Sequence, residues 1–245
     1  MRKATILNLP EWKTIPWKNK TKAPKDYLLD ILAAIPEVLE ALDDLTVAPE
    51  HERQIQIPLL DAKCQSIDKD LETWLSKNPN PILESDKEDL TPIEYPNMNV
   101  AHLTVIYCSI ALQLYTTTLA LDALQSTPQP SFFFPNIKPS KKNPRRSARI
   151  IARSVPYFFK ATMGIWGAAM IAFPMGTAMS VLQGSEKEED RACVGIIIKA
   201  WSNPQLPTAI KDFLISMREE SMRKVAVRMA QRRVERSRGV GSVDL

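Results

Sequence analysis

Apolar residues return every third or fourth position along most of this chain, which predicts helices rather than strands. The first strong element covers Pro24 to Leu45, where Leu28, Leu29, Leu32, Ile35, Leu39 and Leu42 share a face and Asp26 suits the positive end of the first turn. Pro36 falls inside it, so the helix either kinks there or ends and restarts with Pro36 in a new first turn. A second amphipathic helix runs from about Glu50 to Ser76, with Ile57, Leu60, Cys64, Ile67, Leu71 and Trp74 as its stripe. Val100 to Leu124 is apolar nearly all round, the pattern of a helix through the middle of a core. Helices are also predicted over Ser147 to Lys160, Thr162 to Gln183, Glu186 to Ser202 and Pro207 to Arg238. On the third of these Cys193, Ile196, Ile197 and Trp201 form the spine.

The connecting stretches read differently. Residues 1–23 hold Pro10, Trp12, Pro16, Trp17 and many lysines without a helical period, so an extended arm is expected, its two indoles packed on the domain. Asn78 to Asn97 is an acidic, proline- and asparagine-rich loop. Residues 126–146 combine prolines with Lys138, Lys141, Lys142, Arg145 and Arg146 and are expected to form a long flexible crossover. The organisation is then an N-terminal arm at 1–23, one all-helical domain at 24–238 with room for two lobes, and a frayed tail at 239–245. The expected fold class is all-α, a multi-helix, bundle-like domain.

Composition agrees with this picture. Seven glycines in 245 residues leave few positive-φ turns, and 19 prolines supply the breaks between helices. A net charge of +4 is too small to attract nucleic acid or anionic membrane by itself, so such attraction would need a local cluster. Cys64, Cys108 and Cys193 stand far apart, without the close pairs that structural zinc sites use, and apolar neighbours around Cys108 and Cys193 suit a reducing compartment. No signal-peptide pattern follows Met1, and an intracellular protein is expected.

Candidate chemistry is sparse. His51 and His102 have no ligand-spaced companions, there is no phosphate-binding glycine loop or nucleophile elbow, and Glu186 to Asp190 reads as an acidic first turn. No catalytic, cofactor or metal site is therefore expected, and the chain is read as no enzyme. Ala161 to Leu182 lacks any charge and is long enough to cross a bilayer, but Pro174 and its modest apolarity favour a core helix, with Trp166, Met170 and Phe173 facing the interior. In the terminal helix Arg228, Arg232 and Arg236 lie on one side as candidate nucleic-acid contacts, against the alternative of a solvated basic face.

Two stretches carry a resemblance: Pro24 to Leu45 (PKDYLLDILAAIPEVLEALDDL) and Arg146 to Leu182 (RSARIIARSVPYFFKATMGIWGAAMIAFPMGTAMSVL). Their pattern, including Ile151, Ser154, Tyr157, Phe158, Gly164, Phe173, Pro174 and Ala178, resembles the C-terminal regulatory region of fungal zinc-cluster transcription factors. The likeness extends more weakly over residues 24–202 and consists of core positions. The family reads DNA through a six-cysteine cluster, which three scattered cysteines cannot build. The resemblance implies transcription regulation in the nucleus, with the cytoplasm as alternative, through a protein partner or small-molecule effector. The resemblance implies no catalysis; no cofactor, no membrane and no specific DNA binding by this chain alone are expected from the residues themselves, and self-association into an oligomer stays open. The rival readings are a small helical enzyme with an apolar pocket and a membrane-anchored helical protein.

Overall fold

The computed structural model describes residues 2–84, 90–126 and 142–202, together with Thr208, Asp212, Ile215, Ser216 and Glu219. Among these residues there are helices and no strands, so the protein is all-α. The helices are α1 (Pro10–Thr14), α2 (Pro24–Leu32), α3 (Ile35–Val47), α4 (Glu50–Lys77), α5 (Pro81–Glu84), α6 (Met98–Ser126), α7 (Pro144–Phe158), α8 (Gly164–Leu182) and α9 (Glu188–Trp201).

Local chemistry sets most of these boundaries. Pro24 opens α2 at a position that needs no N–H donor, and the Asp26 carboxylate accepts the Ala23 N–H at 2.8 Å. Pro36 stands in the first turn of α3, so the chain breaks at Ala33–Ala34 and makes two helices instead of one kinked helix. Asn143 caps α7 by accepting the Arg145 N–H at 2.9 Å, and Pro144 follows it. The expected crossover therefore ends earlier than anticipated: residues 142–146 belong to an ordered cap and first turn, while 127–141 lie outside the described residues.

Helix α6 divides the interior. Ala101, Val105, Cys108 and Leu112 pack with α7, α8 and α9, whereas Ile110, Leu114, Tyr115, Leu121 and Leu124 pack with α2, α3 and α4. It is apolar all round because it serves two apolar cores at once. On one side the α4 stripe Ile57, Leu60, Cys64, Ile67, Leu71 and Trp74 is buried as a row. On the other side α7 touches α6, α8 and α9 and buries Ile151, Val155 and Phe158.

Helix α8 approaches α7 closely at Gly167, where an added Cβ would sit 2.0 Å from the Phe158 carbonyl oxygen. The buried face is built from Gly167, Ala168, Ile171, Ala172, Met175 and Ala178. This overturns the expectation for the other face: Trp166 is 71% exposed, Phe173 is also exposed, and Met170 is only half-buried. Those three do share a side of the helix, but the close approach selects small residues for the contact and turns the large ones outward. An uncharged helix has no polar stripe to reveal which side is which.

The N-terminal arm also differs from expectation. Short helical turns at Ile6–Asn8, Pro10–Thr14 and Ile15–Trp17 stand where an extended arm was expected. The arm is tied to α3 by polar contacts: Arg2 pairs with Asp43, the Lys3 ammonium with Glu40 at 2.6 Å, and the Asn8 amide donates to Glu37 at 2.8 Å. Trp12 is 51% exposed and does not pack as expected, whereas Trp17 is half-buried.

Candidate functional site

The candidate nucleic-acid residues Arg228, Arg232 and Arg236 lie outside the described residues, as do 239–245. His51 is exposed, with Glu52 at 3.9 Å. His102 is half-buried, and burial together with the Lys25 charge lowers its pKa to about 4, so it is neutral at physiological pH. Cys64, Cys108 and Cys193 are buried on different helices, and burial raises their thiols to about 11, 12 and 11, which leaves no thiolate nucleophile at neutral pH. Among the described residues no three His, Cys, Asp or Glu side chains are grouped as metal ligands.

A buried charge cluster among the described residues was not singled out by sequence reasoning. Asp190, in the first turn of α9, is fully buried against α7. One carboxylate oxygen accepts from Arg149 Nε at 2.7 Å, and the other accepts from Ser185 Oγ at 2.6 Å and from Arg145 Nη1. Burial pushes this carboxyl up, but hydrogen bonds from Ser185 and Arg149 and the charges of Arg149 and Arg145 outweigh it and hold the pKa below the ordinary range. The spacing of Arg145 and Arg149, one helical turn apart, was the available signal, because it puts two guanidiniums on one side of α7. Both oxygens of Asp190 are occupied by the protein itself, so the cluster works as a clamp between α7 and α9. Also on α7, Arg146 donates to the Leu83 carbonyl at 2.7 Å and Arg153 to the Thr91 carbonyl at 2.8 Å. The positive side of α7 is thus spent on holding neighbouring segments.

Two clefts open beside α4. One, of about 450 Å³, lies between α2 and α4 and is lined by Lys22, Tyr27, Asp30, Ile31, Asp70 and Trp74. Trp74 Nε1 donates to the Pro24 carbonyl at 2.7 Å, fixing the indole at the cleft wall. The Lys22 ammonium pairs with Asp30 and stands 5.6 Å from the ring centres of both Trp17 and Tyr27, within cation–π range. The other cleft, of about 680 Å³ between α3 and α4, is lined by Leu45, Val47, Glu52, Leu59 and Lys63 among others. Ring faces, ammonium groups and carboxylates in these clefts can bind and orient a ligand.

Compared with protein-family models, curated proteins and solved structures, the chain gives no match. Helices spanning Met98–Gln125 and Ala161–Leu182 are long and apolar enough to cross a membrane by length and composition; 61% and 67% of their most apolar windows are buried against other helices.

Proposed function

We propose that this chain is a regulatory binding domain of the type found in zinc-cluster transcription factors, acting in the nucleus on a protein partner or small-molecule effector. The observation that carries the reading is the placement of the residues behind the resemblance. Ile151, Ser154, Tyr157 and Phe158 on α7 and Pro174 and Ala178 on α8 are all buried, and the two helices pack against each other. Ser154 Oγ lies 2.6 Å from the Tyr95 hydroxyl, and the Tyr157 ring meets the Tyr95 ring edge-on at 5.1 Å. A recurrent pattern of core residues is what a shared packing scheme requires, so their joint burial supports the resemblance as a likeness of fold. Gly164 fits as well, at the entrance to α8 with φ +52°, where a side chain would be strained. Exposed Phe173 departs from it. Regulation by binding also accords with clefts lined by ring faces and charges.

The test is to fuse the chain to an unrelated DNA-binding module and measure a reporter gene carrying that module's site. The proposal expects reporter output to move several-fold from that of the module alone. A folded, nuclear fusion that leaves output unchanged would overturn it.

A membrane-anchored reading is favoured by one observation, the exposed strip of Ile165, Trp166 and Phe173 on α8. Its test is alkaline extraction of cell membranes, which releases a peripheral or soluble protein and retains an anchored one.

A further inference from the structure

Among the described residues the arm concentrates exposed apolar side chains. Within ten residues Ile6, Leu7, Leu9, Trp12 and Ile15 are all exposed, an apolar density that surfaces seldom leave uncovered. Glu11 is the sole acidic residue from Arg2 to Lys25. Arg2, Lys3 and Lys22 are taken up by Asp43, Glu40 and Asp30. Lys18 and Lys20 are exposed and follow the apolar side chains in the chain, and half-buried Lys13 donates to the Asn8 side-chain oxygen at 2.8 Å while the Asn8 amide donates to Glu37. The ties to α3 hold this strip in place before any partner arrives, which lowers the ordering cost of binding. At its C-terminal end the strip runs into the cleft where Trp17 and Tyr27 flank the Lys22 ammonium.

We propose that the arm from Ile6 to Lys20, together with the adjoining cleft, is a docking surface for an acidic amphipathic helix of a partner protein. Such a helix lays apolar side chains on Ile6, Leu9, Trp12 and Ile15 and its flanking carboxylates toward Lys13, Lys18 and Lys20. A bilayer fits less well: three short turns broken by Pro10 and Pro16 give no continuous inserting face. Nucleic acid would find along Ile6 to Ile15 only Trp12 as a ring for its bases to stack on, the other exposed side chains there being aliphatic. A second copy would set lysine against lysine. The surface stands on the arm alone, so a silent transcription reporter would leave it untouched.

The experiment uses the full chain and a labelled synthetic peptide of about 20 residues, helical, with leucines three and four apart and glutamates on the flanks. Fluorescence anisotropy is expected to give saturable binding that weakens at least ten-fold in Lys18→Glu/Lys20→Glu and in Leu9→Ser/Trp12→Ser. The same peptide with lysines for glutamates is expected not to bind. Thermal melting checks that each variant stays folded; if the serine pair melts early, the lysine pair decides alone, since its ammonium groups touch no carboxylate. Equal binding of both peptides, no loss in the variants, or arm-dependent preference for phosphatidylserine vesicles or duplex DNA would overturn the proposal.

Discussion

Replacing Asp190 by Ala removes the carboxylate on which α7 and α9 are clamped and leaves two guanidiniums facing a buried hole. Breaking a buried pair by deleting one partner costs roughly 3–5 kcal/mol, because the remaining charge is desolvated without compensation. Here the arginine side chains are 20% and 12% exposed, so water reaches them in part, and Arg149 has a second carboxylate in Glu189 at 3.6 Å. Both facts move the figure to the low end, about 3 kcal/mol. For a chain of this size that is a fall in Tm of about 6–12 °C, at roughly 2–4 °C per kcal/mol. The pH dependence adds a second readout. The folded pKa of Asp190 lies below its unfolded value of about 3.9, so its ionisation stabilises the fold above that value and ceases to do so as pH falls through the folded pKa. The gap between the parent protein and Asp190→Asn, measured by urea unfolding, should accordingly be full at pH 7 and narrow below pH about 4. A variant within about 0.5 kcal/mol of the parent at pH 7, the range of an ordinary surface change, would refute the clamp.

Gly167→Ala should cost at least 1–3 kcal/mol, as overpacking does, because its Cβ would collide with the Phe158 carbonyl, whereas Gly195→Ala meets no atom within 4 Å in mid-helix and should stabilise by about 0.5–1 kcal/mol. Paired thermal melts read both, and equal midpoints would contradict the packing. Trp166→Ala should leave stability within about 0.5 kcal/mol while removing a solvent-exposed component of the fluorescence; a large fall in Tm would put that indole back in the core. In native protein all three thiols should react slowly with a thiol-specific reagent at pH 8 and become fully reactive in denaturant, since each is buried and its pKa is raised.

Much of the helical order was legible in the sequence. Stripes with polar partners, such as Ile57 to Trp74 on α4, identify both the helix and its inward face. Proline and asparagine mark starts, although Asn143–Pro144 shows that a basic, proline-containing stretch can hide a well-capped first turn. What failed was the choice of face on α8, where period alone is silent and backbone proximity at Gly167 decides. Long-range polar pairing was equally hidden: Asp190 lies more than 40 residues from Arg145 and from Arg149 in sequence and meets them only when α9 folds back on α7. The arm misled because tryptophan and leucine suggest burial, while its anchoring is polar and its apolar side chains face outward.

We propose that regulation resides in the folded helical core and acts by binding. The most direct test is the tethered reporter, measured side by side for the parent chain, the fold-compatible Gly195→Ala and the clamp variant Asp190→Ala at matched nuclear abundance. The claim predicts a several-fold effect for the first two and its loss in the third above that variant's melting temperature. An effect of equal size in all three, including an unfolded core, or no effect in any, would contradict it.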